Sequence, residues 1–234
     1  MNLFKNAVAE FHKDGFVVIP MYNEEEMKII SEFATSWVGR LLKPWMNKSN
    51  EQSIENYHHW SQEISSDHRH VFASKNRYLY PETIVRNALI NDNVNAWLSE
   101  LGLKKYTVWD DGWGDVGFRL VRPGYKDGYP LCCKNWGKAN GVTSFWIPII
   151  GHGSQETLLL AKGSHLKDHP KEFIEGKFYA NEPRYCGNLN DLNLIRPDLN
   201  KGDVICYHGA TLHSEDVENS EITRLNLEMR FYGI

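Results

Sequence analysis

The stretch Gly202-Asp203-Val204-Ile205-Cys206-Tyr207-His208-Gly209-Ala210-Thr211-Leu212-His213 reads as a turn, a strand and a histidine beyond its far end. Eleven residues on, the run from Arg224 to Phe231 alternates: Arg224, Asn226, Glu228 and Arg230 share one face, and Leu225, Leu227, Met229 and Phe231 share the other. Glu218-Asn219-Ser220 between them is expected to make a hairpin turn. A histidine at one strand end and an arginine at the start of its partner can converge on one pocket. Imidazole suits iron, and a guanidinium grips a carboxylate with two parallel hydrogen bonds. From spacing alone an edge histidine and a surface arginine are the better account.

Other residues could also do chemistry. Cys132-Cys133 is followed by Lys134, a cation able to depress a thiol pKa and so make a nucleophile, although a buried inert pair is commoner. Cys206 lies inside an apolar strand and, with Cys186, reads as structural. In Trp109-Asp110-Asp111-Gly112-Trp113-Gly114-Asp115, two indoles interleave with carboxylates, which suits a sugar-binding lip. Trp109, Asp110 and Trp113 are the contacts it would offer, with Trp136 and Trp146 extending the wall; an ordinary glycine-rich turn explains the run as well. His58, His59, His68 and His70 match no tight metal spacing and read as a solvated or substrate-covering loop.

The elements that must position these residues fall into two textures. In residues 1–102 helices dominate. A helix end and strand span residues 11–19, broken at Gly15 and stopped by Pro20. Asn23 caps a helix whose acidic first turn is Glu24, Glu25 and Glu26 and whose apolar stripe is Met27, Ile30, Phe33, Ala34, Trp37 and Leu41. Shorter helices are expected at Pro81–Leu89 and Asp92–Leu101, the second ended by Gly102. Residues 44–80 are irregular and polar, which suits a lid or an insertion. In residues 103–234 short β runs take over: Tyr106–Trp109, Val116–Val121, Val142–Ile150, Thr157–Leu160, Asp203–Tyr207 and Arg224–Tyr232. No repeat or linker divides the chain. The expected fold is one domain over residues 1–234, mainly β, a double-stranded β-helix (jelly-roll, cupin-like) buttressed by N-terminal helices.

Bulk properties bound the function. A formal net charge of -4 without a basic run argues against nucleic acid. Lys5, Glu10, Lys13 and Asp14 interrupt the N-terminus where a signal peptide would be apolar, and no stretch reaches membrane-spanning length. Four cysteines then read as reduced thiols in a cytoplasmic setting. Aromatic residues at 12%, including eight tryptophans, exceed what core filling usually needs and also line small-molecule clefts, but on composition alone a tryptophan-rich core is the better account.

The segment from Gly202 to His213 and Arg224 resembles the C-terminal signature of the phytanoyl-CoA dioxygenase-like family of Fe(II)/2-oxoglutarate oxygenases. In that family a Gly-Asp turn leads to a distal metal histidine, and an arginine eleven residues later binds the oxoacid; His213 and Arg224 keep that separation. Further pieces follow in family order. Phe11-His12-Lys13-Asp14-Gly15-Phe16 resembles the opening, and Phe118-Arg119-Leu120-Val121-Arg122-Pro123-Gly124 the strand leading to the site. Phe145-Trp146-Ile147-Pro148-Ile149 resembles the central strand. Lys162-Gly163-Ser164-His165 is similar to a Pro-Gly-Ser-His turn whose serine and histidine face the pocket, although a turn cap is the plainer role for Ser164 and His165. The resemblance implies iron at His213 and 2-oxoglutarate at Arg224. Its flavour is closer to oxygenase-like proteins of bacterial surface-carbohydrate pathways than to acyl-CoA hydroxylases, which implies a sugar or sugar nucleotide as ligand.

Where that family carries a His-x-Asp metal pair, this chain reads Pro130-Leu131-Cys132-Cys133-Lys134-Asn135-Trp136. Anchoring on Pro130, Leu131 and Trp136 sets Cys132 at the histidine and Lys134 at the aspartate; a one-residue shift sets Cys133 and Asn135 there. Neither register completes the triad, so two of three iron ligands are missing. Two unit charges about 4 Å apart interact by roughly 4 kcal/mol at an effective dielectric near 20, and a dication doubles it. Ammonium in place of carboxylate therefore repels iron. Three readings follow. In the first, the pocket persists without metal, with Cys132, Lys134 and His213 as its working residues and Arg224 still holding a carboxylate; it binds a small anion, regulates a partner or runs metal-independent chemistry. In the second, a 2-oxoglutarate-dependent oxidoreductase uses unusual ligands drawn from Cys132, Cys133, His213, Asp110 or Asp111. In the third, the chain is a non-catalytic scaffold.

Overall fold

The computed structural model describes residues 3–44, 53–61, 78–108, 115–125, 127, 131–132, 141–174, 182–215, 217 and 220–233. The helical part comprises α1 (Leu3–Asp14), α2 (Glu24–Leu42), α3 (Tyr57–Trp60), α4 (Thr83–Leu89) and α5 (Asp92–Glu100), with β1 (Phe16–Pro20) and β2 (Tyr78–Leu79) between them. Strands follow as β3 (Tyr106–Val108), β4 (Val116–Val121), β5 (Val142–Ile150), β6 (Leu159–Ala161), β7 (Lys171–Ile174) and β8 (Glu182–Tyr185). The chain closes through β9 (Leu194–Ile195), β10 (Asp203–His208), β11 (His213–Ser214) and β12 (Arg224–Gly233). Among the described residues, no helix is long and apolar enough to cross a membrane.

Every pairing is antiparallel. The large sheet runs β1–β10–β5–β12–β4–β2, with β3 beside the far end of β12, and β11–β6–β9 forms a second, smaller sheet. The protein is thus mainly β with helices N-terminal to a jelly-roll. The outer face of the large sheet carries Phe118, Phe145, Ile147, Val204, Cys206, Leu225, Leu227, Met229 and Phe231, which bury against the helices in one core. Met27, Ile30, Ala34, Val38 and Leu42 supply the most buried stripe of α2; Phe33, Trp37 and Leu41 flank it. Asn23 caps that helix in a reciprocal box with Glu26, whose carboxylate accepts from the Asn23 N–H. A second core lies on the inner face, from Phe16, Trp146, Leu158, Leu160, Leu199, Ile205 and Tyr207.

Two expectations change. His213 and Arg224 do not sit on a hairpin: β11 belongs to the small sheet and β12 to the large one, so the connection crosses between sheets. A turn is all the sequence asks of that link, and it serves either topology. The described part of residues 44–80 is built in rather than laid over the surface. Tyr57 is fully buried, His58 accepts or donates at Thr223 Oγ1 (3.0 Å), and Arg122 donates to Ser61 Oγ (3.0 Å).

Gly202 starts the strand that leads toward His213. Its φ is +95°, its carbonyl accepts from the N–H groups of Met21 and Tyr22 (both 3.0 Å), and a Cβ there would run into the Tyr22 carbonyl oxygen. Asp203 fixes the same turn by accepting from the Asn200 N–H at 2.7 Å. Gly202→Ala is expected to cost about 2 kcal/mol or more, because left-handed backbone and a backbone clash add. Urea unfolding checks it; a cost under about 0.5 kcal/mol, the scale of a neutral surface change, would contradict the turn geometry.

Candidate functional site

The inner face of the barrel is unusually polar. His213 (2% exposed) points there from β11, and its Nδ1 lies 2.8 Å from the Thr211 carbonyl oxygen. A carbonyl only accepts, so Nδ1 carries the proton and Nε2 the lone pair, the form that ligates a metal or takes a proton. Ser164 sets this geometry at one remove: its Oγ accepts from the Leu212 N–H at 2.8 Å. Cys132 sits directly opposite His213 in an isolated antiparallel bridge, with His213 N–H to Cys132 O at 2.8 Å and Cys132 N–H to His213 O at 3.0 Å. Directly opposed residues share a face, so thiol and imidazole are neighbours.

Arg224, at the start of β12, is fully buried. Its Nη1 donates to the Glu156 carbonyl at 3.2 Å, and its guanidinium carbon lies 5.5 Å from the centre of the Trp146 ring. Nε and Nη2, the two donors of one guanidinium edge, have no hydrogen-bond partner among the described residues. Burial pulls Arg224 down to about 10, with Glu215 and Glu228 opposing the fall and Arg196 and Arg119 adding to it, so it remains a cation at neutral pH. A buried cation with an idle fork is a socket for a carboxylate.

Beside it runs a chain of buried charges. Arg119 Nε lies 3.2 Å from Glu215 Oε1, and Arg119 Nη2 donates to Glu228 Oε2 at 3.1 Å. Arg230 reaches the same Glu228 oxygen at 3.2 Å. The cross-strand pair Asn226 and Arg119 places the Asn226 side chain in the same interior. Tyr207 closes the wall, its ring 4.9 Å from that of His213; burial, then the charge of Glu228, pushes its hydroxyl far above the usual phenol range.

The sequence expectations distribute as follows. His213, Cys132 and Arg224 line the barrel interior, and Ser164 braces His213. His165 turns away: its Nε2 donates to the His12 carbonyl (2.9 Å) at the junction of α1 and β1, where Lys162 pairs with Asp14 at 2.8 Å and Thr211 donates to the Gly15 carbonyl at 2.8 Å. Its role is to stitch the junction. Cys206 is buried, and burial raises its thiol well above the usual range, which makes it inert; Cys186 is exposed, so a core role does not apply to it. Lys134, Trp136, Trp109, Asp110 and Trp113 lie outside the described residues, as do Cys133 and Asp111. Glu215, Arg119, Glu228 and Asn226 were missed. The signal was there in the alternation of β12, had its polar face been read as interior.

An iron ion is the group such a barrel implies. Among the described residues the donors beside His213, its own imidazole nitrogen and the Cys132 thiol, do not make the two-histidine, one-carboxylate set of non-haem iron. Among the described residues no cluster of three His, Cys, Asp or Glu could hold a metal ion. The carboxylate socket at Arg224, by contrast, fits an oxoacid or any other carboxylate.

Neither a family model nor a curated protein matches the sequence. Solved structures match in fold. AviO1 from Streptomyces viridochromogenes Tue57 superposes with a TM-score of 0.61 at 13% identity, over 99% of this chain and 96% of that one. The epimerase SnoN, in complex with Fe3+, alpha ketoglutarate and nogalamycin RO, gives 0.58 at 15% identity, over 98% and 83%. EctD from S. alaskensis, with 2-oxoglutarate and 5-hydroxyectoine, gives 0.56 at 13% identity, over 98% and 76%. This chain has the jelly-roll fold of the non-haem 2-oxoglutarate-dependent oxygenases.

Proposed function

We propose that this protein binds a small polar carboxylate in the interior of an oxygenase-type barrel whose ordinary ferrous site is incomplete. The observation that carries the reading is the Arg224 guanidinium, fully buried with Nε and Nη2 turned to no acceptor among the described residues. Leaving such donors idle is costly, so the arrangement is explained by a ligand that completes it. Cys132 then stands beside His213, and the ligand's far end meets a thiol and an imidazole. The indole and carboxylate run from Trp109 to Asp115 favours a carbohydrate, as in surface-polysaccharide biosynthesis.

Thermal melting tests it. A ligand about a hundredfold above its Kd adds about 2.7 kcal/mol, roughly 5–10 °C for a chain of this size. Arg224→Lys keeps the charge and loses the planar fork, so the rise should fall by more than half. The reading fails if no small carboxylate raises the melting temperature, or if the variant responds as the wild type does.

The fold likeness favours a second reading, a 2-oxoglutarate-dependent oxygenase with unusual ligands that include Cys132 and His213. Elemental analysis after purification with iron, together with oxoacid turnover and a His213→Ala control, separates the two. Stoichiometric iron with turnover lost in the control would establish the oxygenase.

A further inference from the structure

We infer that the ligand held at Arg224 is a hydroxylated carboxylate, a sugar acid, with hydroxyl groups seated on the Asn226 amide. The inference rests on Arg224 holding a carboxylate and adds what the rest of that ligand must be.

Asn226 is fully buried on the interior face of β12, two residues from Arg224, and among the described residues neither its Oδ1 nor its Nδ2 has a hydrogen-bond partner. The Trp146 indole N–H is likewise buried and unpartnered. Trp146 stands opposite Glu228 on the neighbouring strand, and Arg224 lies over its ring. The interior thus presents Arg224 Nε and Nη2, Asn226 Nδ2 and Trp146 Nε1 as donors, and Asn226 Oδ1 as an acceptor. Buried polar groups in folded proteins are nearly always satisfied, and five idle atoms on two adjacent strands point to one molecule that meets them.

The acceptor decides the ligand class. A 2-oxo dicarboxylate is ionised at neutral pH and offers only lone pairs; it can meet every donor and leaves Asn226 Oδ1 unmet. Hydroxyl groups both donate and accept, so adjacent hydroxyls can satisfy both atoms of the amide. An ammonium would also donate. It would, however, enter beside the fully buried Arg224 guanidinium, whose charge repels it. A further cation is disfavoured there; a neutral hydroxyl is not.

Isothermal titration of the full chain with galacturonate, glucuronate, 2-oxoglutarate, succinate and galactose tests the inference. At least one uronate should bind about tenfold more tightly than 2-oxoglutarate or succinate, and galactose should bind weakly. Asn226→Leu, similar in size and without polar atoms, should weaken the uronate about tenfold and 2-oxoglutarate by less, so that the preference for the uronate shrinks, while Arg224→Lys weakens every acid. If 2-oxoglutarate binds at least as tightly as both uronates, the sugar-acid inference is overturned and the carboxylate reading stands. No binding by any acid, or galactose binding as well as the uronates with Arg224→Lys indifferent, overturns both. The selectivity of the wild-type chain decides the matter even if Asn226→Leu fails to fold.

Discussion

Arg119→Met is expected to lower folding stability by about 3–5 kcal/mol, the range found when one partner of a buried ion pair is removed. Arg119 is 6% exposed and stands between two carboxylates, Glu215 at 3.2 Å and Glu228 at 3.1 Å. Methionine fills similar volume, so packing changes little. The loss comes from leaving two acids in the barrel with their shared counter-ion gone. Arg230 still reaches Glu228 at 3.2 Å and spares part of the cost there. The triple variant Arg119→Met, Glu215→Leu, Glu228→Leu should recover most of the loss, because well-packed apolar groups commonly replace a buried charge network without penalty. Urea unfolding followed by tryptophan fluorescence measures both proteins. A single-variant loss under about 1 kcal/mol, the scale of an exposed pair, would mean the network is solvated and not a fixed part of the interior.

That network also marks where sequence reasoning reached its limit. The strands Val116–Val121 and Val142–Ile150 were legible to the residue, because each is a short run rich in Val, Ile, Phe and Trp set off by nearby turn residues, Pro123-Gly124 after the first and Gly141 and Gly151 around the second. The α2 start was legible because Asn23 and Glu26 make a capping box with local rules. The end of α5 was legible too: Gly102 adopts φ +83° and the Leu103 N–H returns to the Leu98 carbonyl. By contrast β11 is two residues long, and β7 and β8 include Lys171, Glu172 and Arg184. Their extended form comes from distant partners, Leu159 and Leu160 for β11 and each other for the pair, and not from propensity.

The site was half legible for a related reason. Alternation located the polar face of β12 correctly, but a polar face ordinarily meets water. Here Arg224, Asn226 and Glu228 are buried, Arg224 against Trp146 and the Glu156 carbonyl and Glu228 against Arg119 and Arg230. Nothing local to β12 carries that information. The pieces that resemble family motifs at residues 11–16 and 162–165 were informative as markers of fold. They meet in space, where Lys162, Gly163 and His165 all bind the backbone or side chains of His12 and Asp14. Their shared order along the chain reflects a junction that the barrel needs, whatever the interior does.

Cys132→His combined with Lys134→Asp is expected to raise ferrous affinity at least a hundredfold, equivalent to about 2.7 kcal/mol. The bridge supplies the reason for choosing these positions. Cys132 is the residue opposite His213, so an imidazole there would share its face, and position 134 is where the family resemblance sets the aspartate. His213 already holds its proton on Nδ1, toward Thr211, and leaves Nε2 for a metal. Exchanging ammonium for carboxylate near a dication reverses an interaction nominally of about 8 kcal/mol at roughly 4 Å and an effective dielectric near 20, of which a hundredfold gain is a small part. The control is Cys133→His with Asn135→Asp, the register shifted by one. Ferrous titration and iron content after desalting report the outcome without reference to turnover. A gain confined to the control pair would reassign the register, and equal, weak retention in all three proteins would show that the barrel holds no latent iron geometry at His213.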